Sequence, residues 1–341
     1  MKRQLAAYLF IATAIVACKP DPVALEPELR DSPLPLFAPP GFPELVQPAD
    51  NAATRLRVEL GKRLFFDERM SRTGTVSCGS CHQPAEAFAD DSPISVGVEG
   101  RLGFRNAPTL SNVAWQPNLF LDGGVPTLEM QILAPFDNHD EFAFPITQAA
   151  ELLRGDEEIT ELSLAAYNRE PDAFVITRSI AAFERTLISA NSRYDAYMRG
   201  DANALSSDEV AGMDIFMSNE TACAACHVPP LFTNFDFVNI GLYENYDDIG
   251  RMRVTDNPAD NGRFKVPTLR NVGVTNPYMH DGSMATLEEV IAHFNSGGAD
   301  HPNKHPSIQP LNLSSTQQQQ LIAFLHALTD YSFITNPEHR P

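Results

Sequence analysis

The residues with the most chemistry in this chain are two copies of Cys-x-x-Cys-His: Cys78-Gly-Ser-Cys81-His82 and Cys223-Ala-Ala-Cys226-His227. The pentapeptide is the attachment signature of c-type haem: each thiol adds across a vinyl group, and the adjoining His supplies the proximal ligand to iron. A zinc ribbon would need its two Cys pairs roughly 15–20 residues apart, and here well over a hundred residues separate them. Two short disulfides are compatible with an oxidising compartment, but they give no reason for a His after each pair. Two covalent haem c groups are therefore expected, on Cys78, Cys81 and His82 and on Cys223, Cys226 and His227.

The remaining cysteine has a separate explanation. Met1-Lys2-Arg3 is followed by an apolar stretch from Leu5 to Ala17 and then by Cys18. Residues 1–18 thus read as a signal peptide whose apolar part is too short to span a membrane. Ile15-Val16-Ala17-Cys18 resembles a bacterial lipobox, which predicts export to the periplasm or cell-envelope surface and a lipid anchor on Cys18. Export agrees with haem attachment, which in bacteria takes place outside the cytoplasm. Residues 19–48 hold nine prolines, from Pro20 to Pro48, and read as an extended tether.

The elements that must position these sites are helical. Leu56, Leu60 and Leu64 mark an amphipathic stretch before the first signature, and a helix is expected over residues 172–190. Ser206 with Glu209 forms a capping box that opens a helix leading into the second signature. Thr286 with Glu289 caps another, and Ser315 with Gln318 caps the last. No run of alternating strands appears. The expectation is an all-α fold with long loops and two c-type-cytochrome-like domains, residues 49–202 and 203–332, one haem in each. The net charge of −19 argues against nucleic-acid binding and suits a basic protein partner.

The flanking segments carry a family resemblance. Gly61-Lys62-Arg63-Leu64-Phe65-Phe66-Asp67, Arg105-Asn106-Ala107-Pro108-Thr109-Leu110, Ala182-Phe183-Glu184-Arg185-Thr186-Leu187, Phe264-Lys265-Val266-Pro267-Thr268-Leu269-Arg270-Asn271 and Pro277-Tyr278-Met279-His280-Asp281-Gly282 stand in the family's order. Over residues 50–330 the chain resembles the bacterial dihaem cytochrome c peroxidase and MauG family. The resemblance implies reduction of hydrogen peroxide to water at the N-terminal haem. Electrons would come from a small cytochrome c or cupredoxin through the C-terminal haem. MauG-type members instead oxidise residues of a partner protein. A plain electron-transfer dihaem cytochrome is the third reading, and Gln131 and Glu141 argue against it.

Residue by residue, the resemblance assigns Gln131 and Glu141 as the distal pair over the first haem. Heterolysis of the O–O bond needs a proton moved between the peroxide oxygens, which a carboxylate within reach can do. It also assigns a calcium ion to the Asn106 side chain and the carbonyls of Thr275 and Pro277, oxygen donors of the kind calcium requires. A homodimer is left open. Three positions depart from the family. Val98 stands where peroxidases carry a displaceable distal His, so the first haem should be open at rest. Leu121 replaces the Trp between the haems, and the only Trp, Trp115, is expected to be a packing residue. Phe294 replaces the Met or Tyr offered to the second iron. His293 points about 100° away on an ideal helix, and Met279 and Met284 lie on the preceding loop. His280 is expected near the second haem, His301 and His305 at the surface, and His139, His326 and His339 as non-ligands.

Overall fold

The computed structural model describes residues 31–341. Among them the architecture is helical, with one two-stranded antiparallel ladder in which Phe237 pairs with Lys265 and Val238 with Phe264. The proposed signal peptide, Cys18 and the start of the Pro-rich segment lie outside the described residues. Among those described, no helix is long and apolar enough to cross a membrane.

Two apolar cores form, each around a crossed helix pair. The helix Arg55–Phe65 starts where the Thr54 hydroxyl accepts the Arg57 N–H, and it crosses the helix Ala173–Glu184. Gly61 makes the crossing close: a Cβ there would overlap the Ser179 carbonyl oxygen. Phe65 and Phe183 meet edge to face at 5.3 Å beside it. The second core repeats the device. Helix Ser207–Met217 crosses helix Ser315–His326 at Gly212, whose missing Cβ makes room for the Gln320 carbonyl, with Phe216 and Phe324 5.3 Å apart.

The capping boxes at Ser206 with Glu209 and at Thr286 with Glu289 are present as read. The last helix is capped one residue earlier than expected, by Ser314 with Gln317. The helix expected over 172–190 ends at Glu184. Beyond it, other side chains take the backbone: Asn112 accepts the Ser189 N–H at 2.9 Å, and Asp330 accepts those of Ala190 and Asn191 at 3.0 and 2.8 Å. Residues 185–188 tighten into local turns, and with the donors of 189–191 held by tertiary partners the helix does not resume.

The halves share a further plan that the sequence reading missed. After each signature the chain turns through a left-handed Phe, Phe88 or Phe232, and later through a left-handed Asn, Asn112 or Asn271. A glycine turn follows, Gly123 or Gly282, closed by an isolated bridge, Leu119 to Val125 or Tyr278 to Met284. The halves also interlock. Tyr194 joins the second core, while Phe333 and Ile334 return to the first. Phe333 packs 5.8 Å from Phe88. Across the seam, the Asn271 amide donates to the hydroxyls of Ser111 and Ser189, both at 3.0 Å.

The described part of the Pro-rich segment is non-helical, as read, but residues 31–48 lie against the body instead of standing off it. Leu34 N–H donates to the Ala53 carbonyl and Arg55 N–H to that of Ser32, each at 3.0 Å. Phe42 sits between the Trp115 ring at 5.4 Å and the Arg270 guanidinium at 4.7 Å. The Trp115 indole N–H donates to the Pro43 carbonyl at 3.1 Å. Trp115 therefore clasps this segment. Trp115→Phe should cost about 1 kcal/mol of stability and leave the rate of electron transfer between the haems unchanged. Flash reduction of one haem, timed against the response of the other, checks this; a large kinetic loss at constant melting temperature would contradict it.

Candidate haem sites

Each signature forms a single helical turn, Cys78–Cys81 and Cys223–Cys226, which sets the two thiols three residues apart on one turn. None of the four is in a disulfide, so all four thiols are available for attachment. Burial pushes the Cys81 thiol up to about 11 and the Cys78 thiol higher still. A Cβ at Gly79 would overlap the Phe66 ring, so the first turn needs glycine there. The following histidines are oriented alike. His82 Nδ1 faces the Phe88 carbonyl at 2.8 Å, and His227 Nδ1 faces that of Phe232 at 3.1 Å. A carbonyl partner fixes the proton on Nδ1 and leaves Nε2 with a lone pair. Burial lowers the pKa of both imidazoles and so favours the neutral, ligating form. The left-handed Phe88 and Phe232 turns thus have a purpose: they aim those carbonyls.

The second signature opens onto an apolar cavity of about 300 Å³. Cys223, Cys226 and His227 form one wall, and Val290, Ile291 and Phe294 of the helix Leu287–Ser296 form another. Part of its lining comes from the first half: Asn106, Ala107, Pro108 and Leu121. Met279 and His280 also line it, as expected for His280. His293 instead turns its Nε2 to the Ile240 carbonyl at 3.1 Å, which leaves Met279 as the soft side chain facing the cavity. Paired thiols, an imidazole with one free nitrogen and an apolar slot are the features covalent haem requires, and this set fits it. His301, expected at the surface, is half-buried and packs edge-on against Tyr246 at 5.3 Å.

Around the first signature, Glu141 is largely withdrawn from solvent, and burial raises its pKa. Asn138 Nδ2 donates to Glu141 Oε1 at 2.7 Å. Val98 is fully buried, and its N–H donates to the Glu141 carbonyl at 3.0 Å. The loop that lacks a distal His thus packs directly on the loop that presents the carboxyl. Gln131 ends the short helix Leu128–Gln131, which Glu129 pins to Arg185 at 2.8 Å. Asn138 was not singled out from the sequence, though an Asn three residues before an acid in a turn is a usable signal.

Glu184 was also missed as an individual residue. It is buried, its Oε2 has no partner among the described residues, and desolvation pushes its pKa up to about 8. The native state therefore binds this proton more tightly than the unfolded chain between about pH 4.5 and 8, so the Glu184 contribution to stability declines as pH rises through that window. Glu184→Gln should remove that decline. Denaturant midpoints at pH 5 and pH 8 test it; an unchanged difference between the two would reject the assignment.

Asn106, Thr275 and Pro277 all border the second cavity. Asn106 Nδ2 donates to the carbonyls of Ser92 and Pro93 at 3.1 and 3.2 Å, which leaves Oδ1 free for a cation. Among the described residues no group of three or more His, Cys, Asp or Glu could hold a metal. A cation here would rest on amide and carbonyl oxygens, which suits calcium.

A helical fold with two haem-attachment turns defines the class of dihaem c-type cytochromes. The family model described as di-haem cytochrome c peroxidase matches residues 55–203. The chain is 33% identical to cytochrome-c peroxidase IdrP1 of Denitromonas iodatirespirans, over 84% of this chain and 85% of that protein. It is 34% identical to methylamine utilization protein MauG of Methylorubrum extorquens, over 87% of this chain and 85% of that protein. A solved MauG-like protein associated with microbial copper homeostasis superposes with a TM-score of 0.84 at 33% identity, covering 89% of this chain and 97% of that one. This chain belongs to the dihaem cytochrome c peroxidase and MauG family, and is a peroxidase-like oxidoreductase with haem cofactors.

Proposed function

We propose that this protein is a periplasmic dihaem c-type peroxidase, reducing hydrogen peroxide to water with electrons from a small cytochrome c or cupredoxin. One haem c would be held by Cys78, Cys81 and His82, the other by Cys223, Cys226 and His227, each in its own domain. Bound haem supplies redox-active iron at both sites. The observation that carries the reading is Glu141: a desolvated carboxyl, braced by Asn138, on the loop whose carbonyl takes the Val98 N–H. There it moves a proton between the two oxygens of peroxide as the bond between them breaks, and Gln131 orients the bound molecule. Each peroxide takes up two electrons and two protons and leaves as two waters. Val98 offers no lone pair, so peroxide has access from the start.

Asn106 with the Thr275 and Pro277 carbonyls would hold a calcium ion at the seam between the halves. Cys18 would carry a lipid that keeps the protein at the membrane surface. The oxidised holoprotein should show one high-spin haem and consume peroxide without prior reduction. Two low-spin haems that stay inert until partly reduced would overturn the proposal. A second reading, a MauG-type oxidant of a partner protein, draws on Val98 and Phe294 and on the MauG-like solved relative. Fast steady-state turnover with a reduced small cytochrome favours the first reading. Poor turnover with oxidation of partner side chains favours the second.

A further inference from the structure

We propose that Tyr243 is an electron port, an exposed phenol at which a donor phenol is oxidised one electron at a time through Tyr246. This rests on the peroxidase reading for its supply of oxidising equivalents. Tyr246 is 9% exposed and lines the second cavity, while Tyr243 is 36% exposed. Their ring centroids are 5.6 Å apart, so the pair runs from the cavity wall to solvent.

The two phenols differ in their proton partners, and this difference gives the pair a direction. Tyr246 OH accepts the Leu242 N–H at 2.9 Å and donates to the neutral Asn239 amide oxygen at 3.3 Å. Neither partner is a base, so Tyr246 bridges the electron's path and is not itself the site left oxidised. Tyr243 OH donates to Asp281 Oδ2 at 2.6 Å. The Ser283 N–H at 3.1 Å braces the other oxygen of Asp281, and its hydrogen bonds keep the carboxyl below the usual range despite burial. A phenol that loses an electron becomes a strong acid and must shed its proton, and Asp281 is placed to receive it. The oxidised state therefore settles on Tyr243, at the surface.

The step balances as follows. One electron would pass from Tyr243 through Tyr246 to the oxidised haem that Cys223, Cys226 and His227 would hold in the cavity, and the phenolic proton moves to Asp281. A donor phenol then returns an electron to Tyr243, which takes its proton back from Asp281, and the proton of the donor goes to water. For each hydrogen peroxide, two donor phenols become phenoxyl radicals and two waters form.

The test uses the holoprotein, oxidised with hydrogen peroxide or with peracetic acid. A peracid loads the same equivalents with less need of a distal acid. Freeze-quenched samples are read by electron paramagnetic resonance, and spin-trap adducts are mapped by mass spectrometry. The radical should map to Tyr243, vanish in Tyr243→Phe, and fall at least tenfold in Asp281→Asn at unchanged haem content and absorption spectrum. Coupling of N-acetyltyrosinamide should fall at least tenfold in Tyr243→Phe. Reaction with peroxide but no radical at Tyr243, or coupling that survives Tyr243→Phe, overturns the port while sparing the peroxidase. A Tyr243 radical with peracid alone sustains the port and removes the peroxidase reading. Reaction with neither oxidant removes the supply the port needs and overturns it.

Discussion

Asp195→Ala should lower the unfolding stability of the holoprotein by about 3–5 kcal/mol, the usual cost of stranding one member of a buried ion pair. Arg270 is only 1% exposed, and its Nη1 and Nη2 reach the two Asp195 oxygens at 2.9 Å each. Its Nε donates to the Pro230 carbonyl at 2.7 Å, so a guanidinium left without Asp195 keeps one bond and loses its countercharge. Burial raises the Asp195 pKa, but the Arg270 hydrogen bonds outweigh it and hold the carboxyl below the usual range. A carboxyl depressed in the folded state stabilises above its unfolded pKa and loses that contribution as pH falls through the folded value. The gap between wild type and variant should thus be full at pH 7 and narrow in strong acid. Arg270 also lies over Phe42 at 4.7 Å and 5.9 Å from the ring of Phe232, the residue whose carbonyl orients His227. The absorption of the second haem should therefore shift along with the melting. Denaturant titration at both pH values is the measurement; a loss under 1 kcal/mol at pH 7 would mean that the pair is solvated in solution.

The two signatures stand out in the sequence because covalent haem chemistry fixes local spacing: two thiols and an imidazole must fall within one turn, and five adjacent residues record it. Ser206 with Glu209 and Thr286 with Glu289 were legible for the same reason. What was hidden depends on partners distant in sequence. The helix expected to reach residue 190 stops at Glu184, and the amides of Ser189, Ala190 and Asn191 go to Asn112 and Asp330, partners that no local pattern shows. The return of Phe333 and Ile334 to the first core is equally non-local. Helical spacing placed His293 and Phe294 on different faces but could not say which faced the cavity; the His293 bond to Ile240 decides it. The shared plan of the halves was missed because its matching residues, Phe88 and Phe232, Asn112 and Asn271, Gly123 and Gly282, are single positions scattered among unlike neighbours: the bridge that pairs Leu119 with Val125 pairs Tyr278 with Met284 in the other half. Trp115 packs on Phe42 and Pro43, which belong to the segment read as a tether and which no helical or motif pattern links to it.

Glu141→Gln should slow the reaction with peroxide by about 10²-fold or more, the scale of a lost general acid–base group, equivalent to about 2.7 kcal/mol in the barrier. Glutamine keeps the length of the side chain, and its carbonyl oxygen can still accept from Asn138 Nδ2, now 2.7 Å from Glu141 Oε1. Position is preserved while the capacity to carry a proton is removed, so haem content and melting should stay at wild-type values. Desolvation raises the Glu141 pKa, which keeps the protonated carboxyl present to higher pH than for an exposed glutamate. The wild-type rate should accordingly show a titration above the ordinary carboxylate range, and the variant should lose that limb. Asn138→Ala should fall between the two, because it leaves the acid in place but removes its brace. Stopped-flow mixing of the oxidised holoprotein with peroxide across pH reads all three. If Glu141→Gln reacts as fast as wild type, Glu141 is an acid of the loop that also holds Asp137 and Asp140, and the proton must reach peroxide by another group.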